Sequence, residues 1–279
     1  MRWTTGDRGN VQDARGGGGG GFGVPLGIGG VVVLLIGSWL TGVNLFDVVG
    51  GGGGATDVVA ERPATSSPEE EKMVDFVDAV TRDIQQTWSQ KLGNYQPTRT
   101  VLFREGIQSA CGLSSSATGP FYCPGDRKVY LDLSFFDDLQ RKLGAPGDFA
   151  QAYVLAHEIG HHVQNLTGTL ESAPFAGNAN ERSVRVELQA DCYAGVWGHE
   201  ASKSGRHAAN GQVELDPGDV EEGLNAAAAI GDDRLQKRSQ GRVAPESFTH
   251  GSSEQRVSWF RRGMETGDPR SCDTFADAR

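Results

Sequence analysis

Tyr153-Val154-Leu155-Ala156-His157-Glu158-Ile159-Gly160-His161-His162-Val163-Gln164 is the stretch from which the rest of the chain is read. Its apolar residues recur at helical spacing, so it reads as a largely buried helix. Positions four apart share a helix face, with Cβ atoms about 5–6 Å apart. His157 and His161 can therefore hold one zinc ion (Zn2+) between them. Glu158 points to the side of that pair, within reach of a water on the ion. Zinc lowers the pKa of such a water from about 15.7 to about 7, the central requirement of zinc-dependent peptide hydrolysis.

Two histidines leave the ion short, because a catalytic zinc usually takes three protein ligands and keeps one open position. A third histidine in an HExxHxxGxxH scheme fails, since Gln164 and Thr167 stand at the required positions. Glu187 in Glu187-Leu188-Gln189-Ala190-Asp191 is the next acidic residue on a strong helical pattern. Glu187 and Asp191 are four apart and share a face. Glu187 can complete the ligand set, while Asp191 accepts the other N–H of a ligating histidine. Glu171 and Glu181 are rival third ligands. His162 points off the metal face, which leaves it a supporting or a surface place.

Hydrolysis through a tetrahedral intermediate places negative charge on the former carbonyl oxygen, which calls for a donor. His250 lies just before the last helix and Arg256 on it, so both are expected at the cleft. The bland alternative is a loop histidine and an arginine paired with a carboxylate. His199 and His207 fall in polar stretches and read as surface residues.

Outward from this centre, the 279-residue chain carries 40 glycines and a formal net charge of −10. That acidity argues against nucleic acid, which needs a basic face. Residues 1–23, glycine-rich in their second half, are expected to be disordered. Residues 24–46 contain no charged side chain, and about 20 such residues cross the hydrocarbon core. Arg2, Arg8 and Arg15 precede the stretch, which predicts a single-pass membrane protein with a cytoplasmic N-terminus and an extracytoplasmic domain. A cleaved signal peptide competes, but its apolar core would span about 7–15 residues. Residues 47–66 read as a flexible tether and 67–279 as the folded domain. Four cysteines follow the apolar stretch, an even count that permits disulfides in an exported domain. Cys111 and Cys123 frame a Gly/Ser/Pro loop and are expected to pair. Cys192 with Cys272 is the remainder, unless Cys192 is a small buried residue.

The domain opens at Ser67-Pro68-Glu69-Glu70, with Ser67 as helix cap, Pro68 at the first helical position and Glu70 closing a capping box. Residues 98–104 and 128–133 alternate like strands, the second a candidate edge for an extended substrate. Helices are expected from Ser134 to Gly144, from an Asp148 cap to about Leu166, over about 179–202 and 217–236, and from Ser252 onward. Several helices beside a small sheet make an α+β domain.

Met1 to Gly16, the glycine tract, GPFYCPGDRKVYLDLSFF, YVLAHEIGHHVQ, ELQADCYAGVW and ESFTHGSSEQRVSWF, taken in order, resemble the bacterial "putative neutral zinc metallopeptidase" family. The His-His-Glu scheme is also similar to that of the gluzincins. The His-x5-Arg pair is similar to one in the membrane-associated CaaX-processing and HtpX-like peptidases. The resemblance implies a mainly helical zincin-like domain with a small sheet. It implies zinc held by His157, His161 and Glu187, Glu158 as base, and a peptide or protein substrate. It names no natural substrate. A tethered scaffold with a structural or vestigial zinc, and an amidase acting on cell-wall peptides, stay open beside it.

Overall fold

The computed structural model describes residues 1–16, 66–172 and 177–276. The apolar stretch 24–46, and the tether up to residue 65, lie outside the described residues. Among the described residues no helix is long and apolar enough to cross a membrane.

The architecture is mainly helical α+β, as the pattern predicts. In chain order the elements are β1 (Val11–Asp13), α1 (Pro68–Lys91), β2 (Thr100–Phe103), β3 (Gly106–Ser109), β4 (Gly112–Ser115), β5 (Phe121–Cys123) and β6 (Lys128–Asp132). There follow α2 (Ser134–Arg141), α3 (Asp148–Leu166), α4 (Ala179–Ala201), α5 (Asp219–Ala229), α6 (Asp232–Gln240) and α7 (Ser253–Thr266), besides shorter turns. Strands β1, β2 and β6 run parallel, and β5 pairs antiparallel with β6 in the order β1-β2-β6-β5. Strand β6 is therefore internal and offers no edge. Strands β3 and β4 form a separate antiparallel hairpin. Both expected disulfides, Cys111–Cys123 and Cys192–Cys272, are present.

The principal correction concerns the N-terminal residues. They are not disordered over 1–16 but form an arm laid along the domain. Val11–Asp13 add a strand to β2, in register Val11↔Thr100. Arg8 donates from Nε to Asp75 at 2.7 Å, and Asn10 donates from N and Nδ2 to buried Asp78 at 3.0 and 3.1 Å. Arg15, with 3 % of its side chain exposed, donates to Asp13 and to Glu71 at 2.8 Å and lies 3.0 Å from Glu70. The Met1 ammonium sits 3.2 Å from both Asp148 and Asp219, which gives that acidic cluster its cation.

Local signals mostly hold, and their exceptions have identifiable partners. Ser67 caps α1 by accepting from Glu70 N, but the Glu70 carboxylate turns to Arg104 rather than closing the box. Asp148 lies inside the first turn of α3. The donor at Phe149 N is satisfied by Glu222 of α5 at 3.1 Å. Leu133 takes the cap position of α2, ahead of Ser134. The single helix expected over 217–236 breaks after Ala229. A Cβ on Gly231 would lie 2.4 Å from Ser253 N, so only glycine lets the start of α7 come this close.

Helices α3, α4 and α7 form the core layer, with Tyr153, Phe149, Trp197 and Phe260 fully buried between them. A Cβ on Gly160 of α3 would meet Ala190 O at 3.0 Å. The glycine inside the motif thus sets how closely α3 crosses α4. Gly195 of α4 and Gly263 of α7 bring those two backbones together in the same way.

Arg15→Ala is expected to strip a buried cation from the carboxylates of Asp13, Glu70 and Glu71. It should cost about 1–3 kcal/mol and several degrees of melting midpoint by thermal denaturation. The Glu71 carboxyl is held down to about 2 by Ser66, Arg8 and Arg15. Its pairing therefore stabilises the folded arm above the ordinary glutamate value, and that contribution fades as pH falls from about 4.5 towards 2. Protection of the Val11–Asp13 amides, as the ratio of intrinsic to observed hydrogen-exchange rate at each pH, is expected to fall over that window.

Candidate metal centre

Helices α3 and α4 bring three donors together. His157 Nε2 lies 3.1 Å from Glu187 Oε2, and His161 Nε2 lies 3.5 Å from Glu187 Oε1. The two imidazole rings stand edge to face, with centroids 4.8 Å apart. Ligand atoms of His157, His161 and Glu187 all fall within 4.8 Å of one another. The donor set is right for zinc, which favours imidazole nitrogen with one carboxylate. The fit extends to ring orientation. Both histidines turn Nδ1 to an acceptor, His157 to Asp191 Oδ1 at 2.8 Å and His161 to Gln164 Oε1 at 2.8 Å, leaving Nε2 for the cluster.

The electrostatics demand positive charge here. Burial works against a protonated His157, yet Asp191 and Glu187 outweigh it and raise the ring to about 10. Burial likewise opposes an ionised Glu187, but His161 and His157 hold its carboxyl well below the usual range. Glu158, 8 % exposed beside them, has its carboxyl pushed up by burial, with the two histidines tempering the shift.

Behind His157 lies a buried ionic network. Asp191 accepts from His157, from Tyr153 Oη and from Arg256, whose Nε and Nη2 reach Oδ2 and Oδ1 at 2.8 and 2.9 Å. Arg256 is 2 % exposed. It stands beside the centre as expected, 3.3 Å from His157 Nδ1, but as an arginine paired with a carboxylate: Nε and Nη2 go to Asp191 and Nη1 donates to Ile230 O at 3.2 Å, a backing role. His250 does stand near the donors, close enough for its charge to bear on Glu187. Its Nδ1 lies 3.0 Å from Asp232 Oδ1, and its Nε2 has no hydrogen-bond partner. Asp232 is gripped in turn by the backbone N–H groups of Thr249, His250 and Gly251 at 2.7, 2.7 and 3.0 Å.

Other candidates leave the site. Glu181 closes a capping box with Asn178 at the start of α4, and Glu171 is exposed. His162 is fully buried, and its Nε2 donates to Gln96 O at 2.6 Å. Its Nδ1 therefore accepts from Tyr122 Oη at 2.9 Å, which ties α3 to β5. His199 and His207 are half-buried and bond Met264 O and Gln212 O, rather than lying free on the surface. Sequence reasoning missed Asp232, Tyr153, Gln164 and Gln189. Only a polar residue inside an apolar helix stretch marked any of them. Removing Arg256 is expected to leave Asp191 charged and unpaired, so Arg256→Ala should cost about 3–5 kcal/mol in chemical denaturation.

Comparison with known proteins matches this chain over residues 1–275 to the model of the family described as "Putative neutral zinc metallopeptidase". It is 45% identical over 296 aligned residues to "Uncharacterized protein YpfJ" of Escherichia coli (strain K12), covering 99% of both chains. It is 46% identical over 207 residues to "Uncharacterized protein Rv2575" of Mycobacterium tuberculosis (strain ATCC 25618 / H37Rv), covering 72% of this chain and 70% of the other. No solved structure matches. With the match running from the arm to the final turn and spanning all three clustered donors, the chain belongs to the putative neutral zinc metallopeptidase family.

Proposed function

We propose that the chain is a zinc-dependent peptidase that cleaves peptide bonds in peptide or protein substrates. The observation that carries this reading is the convergence of His157 Nε2, His161 Nε2 and the Glu187 carboxylate from two buried helices, with Glu158 beside them. Three clustered donors among the described residues, rather than four, favour a catalytic over a closed structural site. A zinc ion bound there would polarise the scissile carbonyl and lower the pKa of water to about 7.

The rest falls to the chain's own side chains. Glu158 is the proton carrier: its carboxylate takes a proton from the attacking water and hands it to the leaving amine. Burial raises its carboxyl, which brings it closer to the range in which a general base works. His250 is held through Nδ1 by Asp232, and in its doubly protonated form it would donate from Nε2 to the oxygen on which charge develops. Asp191 holds His157 in register, and Arg256 with Tyr153 holds Asp191. The two disulfides support a domain that works in an oxidising compartment outside the cytoplasm. The uncharged stretch 24–46 supports membrane association.

Glu158→Gln is expected to keep its zinc by elemental analysis and to lose cleavage of a fluorogenic peptide library by about 10²–10⁴-fold. Wild-type turnover in that variant would remove the assigned base. His250→Ala should lower kcat by about 10²–10³-fold with zinc content unchanged. His157→Ala should purify without stoichiometric zinc.

A further inference from the structure

His161 differs from His157 in what stands behind it. No carboxylate takes its Nδ1. The acceptor is Gln164 Oε1 at 2.8 Å, one turn on along the same helix. An amide can present either end, so something must decide which end faces the ring. Gln164 is fully buried, and its Nε2 donates to Val186 O at 2.7 Å and to Gln189 Oε1 at 3.0 Å. Gln189, 5 % exposed, donates from its own Nε2 to Cys272 O at 3.0 Å. Backbone carbonyls only accept. Cys272 O therefore fixes the orientation of the Gln189 amide, which turns Oε1 towards Gln164. Val186 O and Gln189 Oε1 then both require the Gln164 NH₂, leaving Oε1 for the ring. The ring must answer with Nδ1–H, and its Nε2 lone pair is left for the cation. Cys272, the far end of this line, is bonded through sulfur to Cys192 of α4, the helix that carries Glu187.

We propose that Gln164 and Gln189 are positioning residues for the metal centre. They form a directional amide relay, running from the Cys272 carbonyl to His161, that selects which ring nitrogen of His161 meets the ion. The proposal rests on zinc binding by His157, His161 and Glu187. The relay gives His161 what Asp191 gives His157, without adding a second buried charge behind the site.

The test measures the zinc dissociation constant of the full chain by competition with a chromophoric chelator. Wild type, Gln164→Met, Gln189→Met and the double variant are compared, with His157→Ala alongside. Gln164→Met is expected to weaken zinc binding by about 10–100-fold. Gln189→Met is expected to weaken it less, and to have almost no further effect once Gln164 is gone, because both act through one line of bonds. Effects that add in the double variant, or wild-type affinity in Gln164→Met, would overturn the relay. Unchanged affinity in His157→Ala would instead overturn the zinc reading itself, so the two failures are distinct. Nitrogen-15 spectra of the zinc-loaded wild type need no variant to fold. His161 is expected to show a protonated, hydrogen-bonded Nδ1 and a ligated Nε2. Ligation through Nδ1 would refute the proposal, and a merely structural glutamine would leave this signature unmoved when replaced.

Discussion

The close passage of α3 over α4 at Gly160 is the constraint on which the centre depends. With Ala190 O only 3.0 Å from where a side chain would begin, the two helices touch backbone to backbone at the middle of the motif. That contact brings Glu187 under the two imidazoles and Asp191 under the back of His157. A larger residue at 160 would separate two helices whose donors must meet within a few ångströms. Helix α7 completes the arrangement from a third side. Its own glycine contact with α4 lets Arg256 reach Asp191 at hydrogen-bond length.

This geometry explains why so much polar chemistry tolerates burial. Asp191, Arg256, Gln164 and Gln189 are almost wholly removed from water, which is costly unless every group is paired. Here the pairs follow directly on one another, so desolvation is offset locally and the rotamers are locked. A centre preorganised this way holds its ligands without waiting for the ion.

Much of the centre was legible in the sequence because it obeys the helical period. His157 with His161, and Glu187 with Asp191, are four apart, and spacing alone puts each pair on one face. The caps at Ser67 and Ser252 were readable for the same local reason. What escaped was set by long-range contact. Nothing near Arg256 says that its partner is Asp191 rather than a substrate, and nothing near Asp232 foretells His250. The single helix read over 217–236 passed through Gly231, yet the approach of Ser253 to that glycine cuts it in two and frees Asp232 to turn. Residues 1–16 looked formless because their partners, on α1 and β2, lie far along the chain.

That arm carries a topographic consequence. Arg15 touches Glu70 and Glu71, so the chain departs from the domain and rejoins it at one spot. A strand woven into a sheet shares the solvent of that sheet. With the arm seated, the first residues and the helices that carry the three clustered donors are parts of one folded body, and the chain between Arg15 and Glu70 must begin and end on the same side of it.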